Sequence, residues 1–381
     1  MRVGNIEISP HADGSRLTAQ ISWEQSQRKP FELYLETGNA PAMSADQAGN
    51  ALLAIAFPLA FHDHEQHLAI DGEVCPMLAD NILTVLDCWN SWQPNNRRTI
   101  KIEMRKAAVP SVTRQGAAGF LSGGVDSFHM LHRNIKLYQQ NSPAAIRQVI
   151  LVHGFDIGKR ARNAEEALFA STGQRLEGVC SKSGIRLATC RTNLRHIKID
   201  AGFWTDRFYG AAVLGTGHAM VPGEAYLMLA GTYNFANLGP IGSNPAIDVQ
   251  FSSQRLQVVH EGLRFSRQQK IAELLEWPDA INNRRVCAFD GRDGYNCGTC
   301  EKCVRTRLGL LGAGCRHSAA FGEHEMAPNL LDAIELDTAY QVSCYTEIGE
   351  ALAREGYTTL ARGVEDRLAV RPAPHVTHAR T

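Results

Sequence analysis

The chain has 381 residues, and its 39 Lys+Arg are balanced by 39 Asp+Glu; that neutrality argues against a protein held chiefly by nucleic-acid phosphates or an anionic membrane, both of which favour a basic excess. Hydrophobic residues at 44% and charged residues at 20% set aside the disordered and fibrous classes, and the length favours two or three domains over a single core. The longest apolar run, Ala51 to Phe61, is interrupted by Pro58 and is too short to span a bilayer.

From Met1 to Ile8 polar and apolar residues alternate without an apolar signal core, so a cytoplasmic protein with no membrane partner is expected. Residues 1–112 read as an α+β domain. Leu17, Ala19, Ile21 and Trp23 alternate with polar neighbours, as do Phe31, Leu33 and Leu35, which is the pattern of strands with one buried face. Ser44 followed by Gln47 is a capping box that opens a helix toward Phe57, and Pro58 is expected to bend or end it. A second helix is expected from Pro76 to Trp92, with Trp89 and Trp92 in the core, and Ile100, Ile102 and Met104 mark another strand. Pro110 and Gly116 mark the exit from this unit.

Over residues 113–285 the pattern changes to short continuous apolar strands separated by helices, the reading of a buried parallel sheet in an α/β domain. The strands are Ala117 to Leu121, Val149 to His153, Ile185 to Cys190, Ala225 to Ala230 and Leu256 to Val259. Phe128, Leu131, Ile135 and Tyr138 form a helical stripe between the first two, and further helices are expected over Ala161 to Ala170 and Ser266 to Leu275. Residues 286–370 combine a cysteine cluster with two or three helices between Leu330 and Leu368, and 371–381 read as a disordered tail.

Where the first of these strands gives way to a helix stands Ser122-Gly123-Gly124-Val125-Asp126-Ser127. Adjacent glycines allow a tight fold with amides pointing inward, the following helix adds unpaired N–H groups, and the two serines add hydroxyl donors. Such a loop can surround a phosphate chain. Asp126 is out of place beside an anion unless Mg²⁺ shares it, which suggests a magnesium nucleotide. Neither the Walker loop nor the dinucleotide fingerprint fits these residues.

Ten cysteines divide into a cluster and a scatter. Cys287, Cys297, Cys300 and Cys303 have the tight spacing of metal ligands, and four thiolates suit a closed, structural Zn²⁺ site, with an iron-sulfur cluster as the competitor. Cys75, Cys88, Cys180, Cys190, Cys315 and Cys344 read as small buried hydrophobes.

The hexad at Ser122 resembles, nearly letter for letter, Ser-Gly-Gly-x-Asp-Ser, the PP-loop of the ATP pyrophosphatases. The resemblance implies a Rossmann-like domain in which the loop holds the β- and γ-phosphates of ATP as a leaving unit while a substrate oxygen attacks the α-phosphorus. It also implies that His153, Gly154, Phe155 and Asp156, at the end of the second strand, contact adenosine. Taken with the Cys-x9-Cys-x2-Cys-x2-Cys cluster and the arginine after it, Arg305, the chain is similar to 7-cyano-7-deazaguanine synthase and its relatives over roughly Ala117 to Arg307. That family adenylates a carboxylate, lets ammonia displace AMP to give an amide, and dehydrates the amide to a nitrile through a second adenylation.

The departures carry equal weight: family members more often have Gln or Leu where Val125 stands, and an Asp-Tyr-Gly-Gln string where this chain has Gly154-Phe155-Asp156. About 110 residues precede the loop where typical members have few, and the family's Tyr-Pro-Asp-Cys string has no match. The corresponding region offers Tyr233, Asn234, Asn237 and Asp248, which follow the fourth strand and are the candidate substrate residues, although loop capping explains any one of them equally well. For Arg264 and Lys270, at a helix start, phosphate binding competes with the commoner fate of solvated charge.

The expected function is therefore ATP-dependent adenylation of a small-molecule acid, a deazapurine among the candidates, with ammonia or an amine as second substrate and an amide, nitrile or conjugate as product. Three alternatives stand beside it. Relatives in antiviral systems attach a deazapurine to a protein amino terminus; PP-loop enzymes that thiolate tRNA need a reactive cysteine pair, here only Cys180 and Cys190; and a non-catalytic nucleotide-binding module needs neither. Charge balance weighs against a nucleic-acid partner, and the amino-terminal domain has protein recruitment, active-site cover and a homodimer contact as its open roles.

Overall fold

The computed structural model describes residues 1–108, 113–157, 163–197, 199–223, 225–287, 295–321 and 328–370. The amino-terminal part contributes strands β1 (Arg2–His11), β2 (Gly14–Ser22) and β3 (Phe31–Gly38), helix α1 (Ala45–His62), β4 (His67–Val74), α2 (Pro76–Trp92) and β5 (Lys101–Lys106). Next come β6 (Ala117–Phe120), α3 (Val125–Leu137), β7 (Ile146–His153), α4 (Asn163–Ser181) and β8 (Arg186–Thr192). The short α5 (Ala201–Phe203), α6 (Tyr209–Met220), β9 (Ala225–Ala230), the short α7 (Pro245–Asp248) and β10 (Leu256–Glu261) follow. Helices α8 (Arg267–Leu274), α9 (Pro278–Asn282), α10 (Glu301–Gly312), α11 (Ala339–Arg354) and α12 (Thr358–Ala369) complete the chain.

All ten strands join one mixed, mostly parallel sheet in the order β10-β9-β6-β7-β8-β3-β2-β1-β4-β5. Strands β6 to β10 are mutually parallel. They form a doubly wound order: the chain runs outward from β6 through β7 to β8, then returns to lay β9 and β10 on the other side of β6. The strand order therefore reverses between β6 and β9, where carboxyl-edge loops diverge and leave a crevice. The amino-terminal strands extend the same sheet, because β3 pairs antiparallel with the free edge of β8, Leu35 opposite Thr192 and Gly38 opposite Thr189.

The period-2 rule sorts the side chains into two cores. Ile150, Leu227 and Leu229 enter the core shared with α1, α2, α6 and the buried faces of β1 to β4, whereas Val149, Leu151 and Met228 enter the core beneath α3, α4 and α8. One apolar mass thus runs under both the amino-terminal strands and one face of the parallel strands. A third cluster joins Val304 and Leu308 of α10 to Tyr345, Leu352 and Val364 of α11 and α12. No helix of the described residues is long and apolar enough to cross a membrane.

The capping box at Ser44 forms, with Ser44 N–H donating to Gln47 Oε1 at 3.0 Å. Pro58 does not end the helix: α1 continues through it to His62. An interior proline costs about 3 kcal/mol. Here residues 48–61 are all buried, packed against α6 and β4, and that packing outweighs a lost backbone bond. Trp89 is fully buried, stacked on Phe57 at 5.3 Å, as expected of a core residue. Strand β4 and helix α6 carry no usable local signal. Asp71 and Gly72 sit at a register shift in β4, and Gly210, Gly215 and Gly217 lower the helix propensity of α6, so both exist through their burial. The helix expected from Ala161 is seen from Asn163 and runs on to Ser181. Pro110 and the tail 371–381 lie outside the described residues.

Helix α6 also buries His218, whose Nε2 donates to the Phe251 carbonyl at 2.8 Å, and burial pushes its pKa down to about 4. Because the folded value lies below the ordinary 6.5, the unfolded chain takes up the proton first as pH falls. This contribution to stability is complete above pH 6.5 and is lost as pH falls toward 4, a change of about 3 kcal/mol. His129, also pushed down to about 4 by burial although Glu273 opposes the shift, acts in the same direction. His218→Gln is expected to flatten part of the decline in melting temperature between pH 6.5 and 4, measured by thermal denaturation across that range.

Candidate functional site

Strand β6 ends at Phe120 and α3 starts at Val125, so the glycine-rich segment is the entire connection. Leu121 and Val125 pin its two ends in the core. Gly123 has φ +82°, and a Cβ on it would stand 3.3 Å from Cβ of Arg285, whose backbone N–H donates to the Gly123 carbonyl at 2.8 Å. Only glycine meets both the left-handed backbone and this close approach. Ser127 Oγ donates to the Gly124 carbonyl at 3.2 Å and lies 3.3 Å from Ser122 Oγ. No side chain caps α3 at Gly124, so its first-turn amides and the exposed Ser122 hydroxyl are left for an anion.

Asp126 is met by Lys270 from α8, Nζ to Oδ1 at 2.8 Å, and the same ammonium donates to the carbonyl of Gly231, the residue after β9, at 2.6 Å. Lys270 therefore ties the loop after β6 to the loop after β9, across the point where strand order reverses. Burial alone would raise the Asp126 carboxyl, but the Lys270 and Arg267 cations win and hold it below its ordinary value. The Lys270 side chain is 1% exposed, so the fate of a solvated charge is not the one it takes; it lies on the apolar face of α8 with Ile271 and Leu274. Arg264 does take that fate, exposed beside Phe265.

The adjacent β7 ends in His153, whose ring meets Phe169 edge-on at 5.1 Å and whose Nε2 lies 3.2 Å from Glu166. Gly154 N–H donates to the Ile157 carbonyl at 2.6 Å, Phe155 packs toward Trp204 at 5.8 Å, and Asp156 is exposed. This turn leaves the same sheet edge as the glycine loop, one strand away.

The four substrate candidates separate. Tyr233 stands edge-on to Tyr340 of α11 at 4.7 Å. Asn237 Nδ2 donates to Asn234 Oδ1 at 2.7 Å and to Ser343 Oγ at 3.3 Å, so these asparagines order their own loop while lining a small crevice with Ser266, Arg267 and Tyr340. Asp248 lies apart from them, fully buried, accepting from Ser243 Oγ at 2.8 Å and His260 Nδ1 at 2.7 Å. Burial raises its carboxyl even though both partners oppose the shift. Burial pushes the Tyr209 hydroxyl of α6 upward, and the charges of Asp248, Tyr233 and Asp126 add to that shift.

The sulfurs of Cys287, Cys297, Cys300 and Cys303 all lie within 4.8 Å of one another. Cys287 to Cys300 and Cys297 to Cys303 are each 3.9 Å, far too long for a disulfide. Four thiolates about 2.3 Å from a tetrahedral metal stand about 3.8 Å apart, so the set fits an ion such as zinc. Cys300 N–H donates to Cys297 Sγ at 3.3 Å, and Arg307 Nη1 donates to the Gly298 carbonyl at 2.9 Å, holding the turn between two ligands. The neighbouring thiols and burial push Cys303 strongly upward when only protons occupy the cluster, an electrostatic frustration that a cation relieves. Cys300 caps α10 and Cys303 lies within it, so the cluster orients the helix that carries Arg305 and Thr306, and Thr306 Oγ1 accepts from Arg267 at 3.0 Å.

No family model, curated protein or solved structure matches this chain.

A further buried cation, one residue before the Arg285 that packs on Gly123, was not apparent in the sequence. Arg284 is fully buried, and among the described residues none of its three guanidinium nitrogens has a hydrogen-bond partner. Burial and the like charge of Arg267 pull its pKa down to about 9. An unpaired buried cation is costly, and its natural complement is an anion. Its neighbour Arg285 is the residue packed on Gly123, and among the described residues Nε of Arg267 and of Arg285 also lacks a hydrogen-bond partner, whereas Arg305 Nε is ion-paired with Glu301 Oε1 at 3.2 Å. The site thus combines a concave backbone, uncapped amides and under-satisfied cations at one sheet edge. That arrangement suits a multiply charged phosphate compound. His260 was likewise missed; its signal is its register in β10, on the buried face shared by Leu256 and Val258 but at the carboxyl end.

Proposed function

We propose that the chain adenylates a carboxylate, or an amide, at the expense of ATP, releasing pyrophosphate and then AMP as an amine or ammonia completes the product. The observation that carries this reading is the Asp126–Lys270–Gly231 link, which ties the glycine loop to the loop after β9 at the strand-order reversal, with Arg267 acting on Asp126 and Arg285 packed on Gly123. ATP supplies the electrophilic phosphorus. The glycine-loop amides with Ser122 and Ser127 hold the terminal phosphates as the leaving unit, Lys270 and Arg284 oppose the charge that develops on it, and Asp126 keeps Lys270 oriented. The second oxygen of Asp126, with no hydrogen bond among the described residues, is the position open to Mg²⁺. The turn from His153 to Asp156 borders the adenosine side. Tyr233, Asn234 and Asn237 border the acceptor.

Zinc at the four cysteines is structural in this proposal, since four protein ligands leave no open coordination position. The likeness of motif and cysteine spacing to 7-cyano-7-deazaguanine synthase supports a deazapurine acid as the acceptor. Conjugation to a protein amino terminus would use the same first step with a different amine. The thiolation reading is disfavoured by the two cysteines it needs. Burial pushes both thiols up to about 12, and Cys180 and Cys190 belong to the cores on opposite faces of the sheet.

The test is incubation with ATP, Mg²⁺ and 7-carboxy-7-deazaguanine, with and without ammonium, followed by quantification of nucleotides and mass analysis of the acid. Stoichiometric AMP and pyrophosphate support the proposal. ATP remaining intact in the presence of that acid and of a panel of related carboxylates sinks it.

A further inference from the structure

The pair formed by Asp248 and His260 is unused in the scheme above, yet it borders the same site. The Asp248 side chain is 0% and the His260 side chain 4% exposed, and Nδ1 meets Oδ2 at 2.7 Å. In the neutral ring Nδ1 donates to this carboxylate and the lone pair stays on Nε2. No hydrogen bond engages Nε2 among the described residues. It stands over Gly231, where any Cβ would lie 2.4 Å from it; glycine is what lets the ring approach. The carbonyl of that same Gly231 receives Lys270, which holds Asp126. Ser243 Oγ donates to Asp248 Oδ2 at 2.8 Å, and Lys270 meets the carbonyl of the Gly231 over which the ring stands.

We propose that His260 Nε2 accepts the proton of the incoming nitrogen nucleophile, ammonia or a primary amine, with Asp248 as the residue that positions it. The inference deepens the adenylation reading and rests on it. In this step the nitrogen lone pair forms a bond to the activated carbonyl carbon, the carbon–oxygen bond to AMP breaks, and AMP departs with that electron pair. The surplus N–H proton passes to Nε2 and from there to water. A buried carboxylate that fixes the tautomer of a histidine, leaving its other nitrogen to take the proton, is a recurrent solution to this transfer.

The full chain is assayed for two half-reactions with 7-carboxy-7-deazaguanine: exchange of labelled pyrophosphate into ATP, and AMP release driven by ammonium or by hydroxylamine. His260→Gln is expected to lower ammonia-driven AMP release by roughly 10²–10⁴-fold and to lower exchange far less. Hydroxylamine, a weaker base than ammonia whose adduct gives up the surplus N–H proton to water more readily, should restore most of the release. Asp248→Asn, which keeps the shape of the site, should lower the ammonia step by roughly 10²-fold with the same rescue, and it decides the matter if His260→Gln fails to fold. Unchanged ammonia-driven release in a folded variant overturns the proposal, as does a parallel loss of exchange and of release with both nucleophiles. Absence of exchange in the unaltered protein overturns the adenylation reading and this inference with it.

Discussion

Asp126→Asn is expected to reduce pyrophosphate release from ATP by ~10³-fold or more, and the same should follow from Lys270→Met. The two residues form one device: the ammonium is almost wholly buried, and its acceptors are Asp126 Oδ1 and the Gly231 carbonyl. Removing either charge leaves the other uncompensated in a low-dielectric site, so each single variant should also lose stability, by about 3–5 kcal/mol where no water enters. The double variant separates the two effects. With both charges gone the burial penalty disappears, so melting temperature should largely recover while ATP turnover stays absent. Nucleotide quantification beside thermal denaturation reads both. Turnover surviving in the double variant would show that the pair serves the fold alone.

Cys303→Ser carries the largest expected structural effect. Metal content, measured by elemental analysis, should fall from one ion per chain toward zero, and the unfolding transition should broaden and shift downward. Four-thiolate sites contribute apparent binding energies on the order of 10 kcal/mol, and that energy acts as folding energy where the ligands are not preassembled. Here Cys303 lies at 0% exposure within α10, and α10 packs on α11 and α12, so the loss should spread into the third core. It should also reach the phosphate end, because Thr306 on the same helix accepts from Arg267. Chelation of the unaltered protein is expected to reproduce both effects. Finding iron in place of zinc would replace the metal while leaving the ligands; finding no metal would remove the centre.

The local patterns in the sequence reached different depths along the chain. The alternation at Leu17 to Trp23 and at Phe31 to Leu35 was enough to place two strands, and the continuous apolar runs were enough to place five more, because side-chain period and burial are local consequences of backbone geometry. The tight cysteine spacing was legible for a similar reason, since short turns bring such side chains together whatever surrounds them. That Pro58 does not end α1 was not legible, because the sequence displays the cost of an interior proline but not the packing around α1 that offsets it. Lys270 looked like a surface charge because nothing local announces that its partner lies 144 residues away.

By itself, the sequence determined the glycine loop between a strand and a helix, the four-cysteine cluster, and an α/β region with strands of two kinds. The tertiary structure decided that both kinds of strand lie in one sheet, through the single edge where β3 meets β8. It also decided that Lys270 meets Asp126 of the loop and that His260 stands over Gly231, the other acceptor of Lys270. The physical reason is that a motif needs only the few bonds between its own residues, whereas a sheet edge, a buried ion pair and an unpartnered guanidinium depend on groups far apart in the chain. Those meet only when the cores on both faces of the sheet are filled.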